Sequence, residues 1–190
     1  MLQSELQAKR WLYRDPSAEE VRPRRCVKCG EKHGVGARIT GNGRRKRRLK
    51  GPRGLDGEPT VTVVMGRRYE CQECGGAMFV VPREIAGRFR YTLRAMLLAL
   101  AYWGLEGQSG GEVRERISPE PRRGFLEPRL WPSLRRWVKQ RAELWPGVHV
   151  PARATLRETA RALVLALCAR LSRAPPVPEV GDAWEAALCG

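Results

Sequence analysis

Two copies of one pentapeptide constrain this chain more than any other feature: Cys26-Val27-Lys28-Cys29-Gly30 and Cys71-Gln72-Glu73-Cys74-Gly75, with 41 residues between Cys29 and Cys71. Thiolates two residues apart can grip one ion from a tight turn. The glycine behind each second cysteine lets the backbone take a positive φ and turn amides toward sulfur. Two such turns close a tetrahedral four-sulfur site from Cys26, Cys29, Cys71 and Cys74, and zinc is the ion such a site suits. The competing interpretation is two disulfides, or thiols that never meet, but unrelated packing needs do not repeat a whole pentapeptide.

The charge is as uneven as the cysteines are regular. The net charge is +16, and residues 22 to 53 alone carry 13 Lys/Arg against one Glu, or +12. A polyanion is the natural partner of such a segment, and nucleic acid the commonest. Only six of the 36 basic residues are Lys. Arg forks onto phosphate and guanine better than Lys does, although a GC-rich coding sequence would raise Arg, Ala, Gly and Pro together. The N-terminus has no secretory pattern and no stretch reaches the roughly 18 apolar residues of a membrane span. A cytoplasmic, nucleoid-associated protein with reduced thiols is therefore expected.

With 190 residues the chain suits one or two small domains. Residues 1–21 form a leading segment in which Leu2, Leu6, Trp11, Leu12 and Tyr13 suggest a short helix, ended by Asp15-Pro16 and packed against a ribbon. That ribbon is residues 22–82, which read as a four-cysteine unit with a basic insert. Ala37 to Thr40 suits a strand and Gly41-Asn42-Gly43 a turn. The run Arg44, Arg45, Lys46, Arg47, Arg48, with Lys50 just beyond, is too charged to bury and is expected as an exposed loop or hairpin arm binding phosphate; a merely solvated run is the alternative. The segment Gly51 to Pro59 comes next as a loop. Val61, Val63 and Met65 alternate with Thr62, Val64 and Gly66 in a strand with one buried face, and Ala77 to Val81 makes a third strand stopped by Pro82. So small a sheet needs its ion, worth on the order of 10 kcal/mol, to fold.

From Tyr91 the period becomes helical, and residues 88–149 are expected as an all-α unit. Leu93, Met96, Leu97, Leu100 and Ala101 mark its core helix, ended by Gly104 and Gly107. Ser109 to Glu112 has capping-box spacing before a short helix with Val113 and Ile117 inward. A third helix starts near Pro132 and Ser133, with Leu134, Trp137 and Val138 on one face and Arg135, Arg136 and Lys139 on another. A helix so divided fits a major groove, or simply faces water. Residues 150–190 carry C-terminal helices. One runs from about 152 to 172 with Cys168 as a small buried hydrophobe, a stiff linker spans Ala174 to Pro178, and Asp182 caps a last helix bearing Trp184; Cys189 has no visible mate.

The knuckles around a basic insert, then Arg90-Tyr91-Thr92 opening a helix and Ser133-Leu134-Arg135-Arg136-Trp137-Val138 later, resemble bacterial zinc-ribbon plus helix-turn-helix proteins, which are similar to the DNA-binding front halves of insertion-sequence transposases. The likeness spans roughly residues 22 to 145. It implies an α+β protein, a small four-cysteine zinc ribbon followed by an all-α helix-turn-helix-like bundle. It implies Cys26, Cys29, Cys71 and Cys74 as zinc ligands, residues 112 to 117 as the second helix, and Ser133 to Lys139 as the recognition helix. Ser118 to Trp131 departs from the pattern, being far longer than the usual three- or four-residue turn.

A transposase further needs carboxylates holding two divalent ions on a sheet-containing domain. After residue 150 only Glu158, Glu179, Asp182 and Glu185 remain, with no strand pattern to carry them. His33 and His149 are the only histidines; His33 suits the loop after the first knuckle and His149 a linker. No catalytic residues are therefore expected. The expected function is non-catalytic binding of double-stranded DNA linked to a mobile element, at element ends or as a regulator beside a recombinase or transposase. The alternative is a zinc-ribbon interaction module docking a recombinase, polymerase or RNA-containing partner.

Overall fold

The computed structural model describes residues 2–3, 11, 14–52, 57–82, 85, 89–120, 131–150 and 155–171. Strands β1 (Leu2–Gln3), β2 (Ile39–Pro52), β3 (Pro59–Cys71) and β4 (Ala77–Val81) come first; helices α1 (Leu93–Gly104), α2 (Gly110–Ile117), α3 (Pro132–Lys139), α4 (Arg141–Leu144) and α5 (Leu156–Leu171) come after them. The fold is thus mixed α+β. The chain divides into two compact units, Met1–Leu49 with Thr62–Arg90, and Lys50–Val61 with Tyr91–Gly190.

The strands lie in the order β1-β4-β3-β2, so β2 is an edge. β4 runs antiparallel to β3, with Arg67 opposite Val80 and Glu70 opposite Ala77, and β1 joins β4 in parallel. Thr40 lies against Glu70 and Gly51 against Thr60, which gives β2 and β3 opposite directions. The first unit's core gathers Ile39, Val64, Tyr69, Val80, Val81 and Ile85. Its two large polar rings have partners, as buried ones must: Trp11 Nε1 donates to Met65 O at 2.8 Å and Tyr69 Oη to Ala18 O at 2.6 Å.

Two expectations for this unit need correction, and a third gains its buried face. Leu2 and Gln3 are strand, not helix, because β4 offers them an open edge; Trp11 does pack on the sheet, while Leu6, Leu12 and Tyr13 lie outside the described residues. Gly41-Asn42-Gly43 does not turn. Gly43 takes a φ of 78°, yet Asn42 Nδ2 donates to Glu70 Oε2 at 2.9 Å and the chain continues along β3, so the basic run is strand rather than loop. In β3 the inward phase is Val64 and Gly66, where the Phe79 ring leaves no room for a Cβ, and Val61 and Val63 face out, 45% and 46% exposed. β4 has the expected bounds.

In the second unit α1 is buried on every side, from Leu93 and from Ala95 through Tyr102, as befits a helix apolar all round. α2, α3 and α5 pack on it, and α3 also on α5. Gly104 admits α5: a Cβ there would lie 2.7 Å from Arg161 N. Thr92 caps α1, accepting from the Ala95 amide at 3.1 Å. The Ser109–Glu112 capping box is present, with bonds of 2.7 and 3.3 Å. Leu134, Trp137 and Val138 are buried as expected, and Trp137 meets Tyr91 and Trp131 edge-on at ring distances of 5.3 and 5.1 Å. Cys168 is buried. Residues 121–130, residues 53–56 of the expected loop and the segment 172–190, with the expected linker, Asp182, Trp184 and Cys189, lie outside the described residues.

Candidate metal centre and cation surfaces

Both knuckles fold by one rule. Cys26 N donates to Glu31 O at 2.9 Å and Gly30 N to Cys26 O at 2.9 Å; Cys71 N donates to Gly76 O at 3.0 Å and Gly75 N to Cys71 O at 2.9 Å. Gly30 and Gly75 hold φ values of 78° and 62°, the left-handed region that closes each turn. The turns meet without a spare methyl between them. A Cβ on Gly76 would sit 3.1 Å from Cys74 Sγ and 3.3 Å from Cys26 Sγ. Lys28 Nζ then crosses to Cys74 O at 3.0 Å.

The four sulfurs lie within 4.8 Å of one another, with Cys26 to Cys74 at 3.5 Å and Cys29 to Cys71 at 3.9 Å. These separations are too long for disulfides. A tetrahedral ion with metal–sulfur bonds of about 2.3 Å sets its sulfurs about 3.8 Å apart, so the donor set fits a metal. Electrostatics agree. The amides of Cys29 and Lys28 lower the Cys26 pKa to about 6. At Cys29 the Glu31 amide also pulls downward, but desolvation and the three other thiols outweigh it and push the pKa up to about 12. Crowded thiols give up one proton readily and resist losing more, a conflict that a divalent cation removes. Among the described residues this is the one such cluster of His, Cys, Asp or Glu side chains.

His33 is not part of it. Its Nδ1 accepts from the Ile39 amide at 2.9 Å, tying the loop after the first knuckle to the start of β2. The second knuckle grips the same place: Gln72 N donates to Arg38 O at 2.9 Å and Gln72 Nε2 to Thr40 Oγ1 at 2.8 Å. Residues 38–40, the root of the basic strand, are therefore held from both sides of the sulfur cluster. The sequence signals for this were two polar side chains inside or beside the knuckles.

Not all the expected cations remain free. Arg44 pairs with Asp15 and stays half exposed. Arg47 turns inward, donating to Phe89 O at 2.6 Å, and burial lowers its pKa with help from the Arg45 charge. Lys50 is 8% exposed and paired with Glu120, which removes it from the solvent-facing set. Arg45, Lys46 and Arg48 are exposed. On α3, Arg135, Arg136 and Lys139 are exposed and Ser133 is half-buried; Arg136 Nε donates to Gln140 Oε1 at 3.1 Å. Glu158 has a use that sequence reasoning missed. It closes a second capping box, accepting from Thr155 N at 2.7 Å while its own amide donates to Thr155 Oγ1 at 3.2 Å. Thr155-Leu156-Arg157-Glu158 has the same form as Ser109 to Glu112, and that spacing was the signal.

Among the described residues no helix is long and apolar enough to cross a membrane. No family model, curated protein or solved structure matches the chain.

Proposed function

We propose that this chain is a non-catalytic, zinc-bearing protein that binds double-stranded DNA, serving a mobile element at its ends or as a regulator beside its recombinase. Cys26, Cys29, Cys71 and Cys74 would hold the ion, and its chemistry is structural: four thiolates leave no open position for a reacting group. The first unit is then a zinc ribbon, and α1 to α3 a helix-turn-helix-like unit with α3 as its reading helix.

The observation that carries this reading is the display of Arg45, Lys46 and Arg48 on an edge strand rooted in both knuckles. A flexible basic loop would lose conformational freedom on meeting phosphate, whereas a strand fixed at its root has already lost it. α3 adds the means to discriminate, because Leu134, Trp137 and Val138 commit one face inward and leave Arg135, Arg136 and Lys139 for base edges. The test is selection of duplexes from a random pool, followed by binding of the Arg135→Gln and Arg136→Gln variants. Loss of about 1 to 3 kcal/mol at the selected site, and much less on random duplex, is expected. Variants that keep the parent's sequence preference reject the reading role of α3.

The alternative, a ribbon that docks a protein partner, draws support from Val27 and Val35, which are 58% and 87% exposed in and after the first knuckle. Val27→Ser with Val35→Ser leaves duplex affinity unchanged if DNA is the ligand. A variant that binds duplex normally but fails to co-purify a recombinase or polymerase would favour docking.

A further inference from the structure

The exposed part of β2 runs from Gly41 through Lys46 and resumes at Arg48, a length of about 25 Å at strand rise. Alternation places Arg44, Lys46 and Arg48 along one side of the strand and Arg45 on the other, so like-sided cations recur about every 6.7 Å. They flank an edge that no other strand covers among the described residues. A second copy of this strand is excluded there, since cation would oppose cation. Gly43, with nothing within 4 Å of the place a Cβ would take, leaves room for a ligand chain close to the backbone.

What the surface lacks is equally specific. Surfaces that read single strands set aromatic rings among their cations so that bases can stack. In this unit Trp11, Tyr69 and Phe89 are buried, and Phe79 lies over Gly66 against the core. Among the described residues of the unit, no exposed ring accompanies the cations, and none of Arg45, Lys46 and Arg48 is buried against a surface that would shape a pocket for a base.

We propose that the outer edge of β2 is a track for a linear chain of phosphates as such: it holds the backbone of a nucleic acid without touching bases, and takes inorganic polyphosphate at the same residues. This rests on the DNA-binding reading for the identity of the ordinary ligand, and adds that the recognised chemistry at β2 is the repeated phosphate alone. Arg45, Lys46 and Arg48 carry it, with Arg44 contributing less because Asp15 already engages it.

The test uses the full chain, a labelled random-sequence duplex, a single strand of the same sequence, and long-chain inorganic polyphosphate as competitor, with bound metal assayed afterwards because polyphosphate also chelates. The triple variant Arg45→Gln, Lys46→Gln, Arg48→Gln is compared with the parent; all three side chains are exposed and their loss relieves like-charge repulsion, so metal content should hold and melting should not fall. The expected result is that polyphosphate displaces duplex with metal retained. The variant should lose affinity for both ligands, with the log-log salt slope on duplex falling by roughly 0.9 for each phosphate contact removed. If duplex binds through these residues but polyphosphate does not compete, bases or groove shape are required and the track is overturned while DNA binding stands. If polyphosphate binds equally to the variant, the track is not β2. If neither ligand binds the parent, the DNA-binding reading fails first.

Discussion

At Gly76 the closeness of the four cysteines turns on the absence of one carbon. Its Cβ position lies 3.1 Å from Cys74 Sγ and from Lys28 Cβ and 3.3 Å from Cys26 Sγ, tighter than ordinary van der Waals contact on three sides. The φ of this residue is not in the left-handed region, so the constraint is space rather than backbone freedom. Gly76→Ala should therefore push the knuckles a few tenths of an ångström apart and weaken the ion by roughly tenfold, the low end for changes in the shell around metal ligands. Competition with a chromogenic chelator reads this directly, and parent-like affinity would show that the turns yield without cost. Cys71→Ser is the harsher control: Cys71 is fully buried, ends β3 and anchors the second turn, so its loss should abolish binding of the ion. Nothing about Gly76 beyond its place after Cys-x-x-Cys-Gly marked it in the sequence, because the contact it permits comes from Cys26 and Lys28, in the turn of the first knuckle.

Among elements, those governed by local chemistry were legible and those governed by neighbours were not. β4 stops at Pro82, α1 starts at Thr92, and α2 starts on its capping box, each fixed by residues within one turn. The four-cysteine cluster was legible for the same reason. Gly-Asn-Gly is equally good chemistry for a turn and for a positive φ within a strand, and only the bonds from Thr40 and Asn42 toward Glu70 decide between them. β3 offers valines in both phases, so its inward face depends on Phe79, a residue of the next strand. The burial of Lys50 depends on Glu120, 70 positions away. The caps are open to direct test. Ser109→Ala should cost about 1 kcal/mol of stability, measured by urea denaturation, with no change in metal content. At α5 the Thr155 amide and hydroxyl lower the Glu158 pKa below its ordinary 4.5. A lowered carboxylate pKa gives stability that is fully present above 4.5 and lost as pH falls through the folded value. Acid should thus loosen α5 in that window, and in a Glu158→Gln variant this part of the acid sensitivity should be gone.

At the scale of the whole molecule, the +10 carried by residues 22–49, 11 Lys/Arg against one Glu, has to be held on a unit with a small core, and that sets the last prediction. Among the described residues no other strand pairs with the outer edge of β2 along residues 41–48, and this stretch carries charges that repel one another, so it depends on being held at its ends, by its root and by the bridge from Lys50 to Tyr91. Its root at residues 38–40 is bonded to His33 and Gln72, and both of those depend on knuckles closed by the sulfur cluster. Removing the ion leaves four crowded thiols whose protons compete for the same small space. The knuckles then loosen, and with them the root of the strand. The second unit has its own core around α1, including Met96, Leu100, Ile117, Trp137 and Leu163, and owes nothing to the thiols. Chelation should therefore split thermal denaturation into two steps, with the first unit melting early and the second near its original temperature. If the basic strand carries duplex binding, it should also cost duplex affinity as severely as the triple cation variant. Restoring zinc should recover both. A single unsplit transition after complete metal loss, or duplex affinity that survives it, would show that the basic strand is held by its sheet alone and that the sulfur cluster serves some other end.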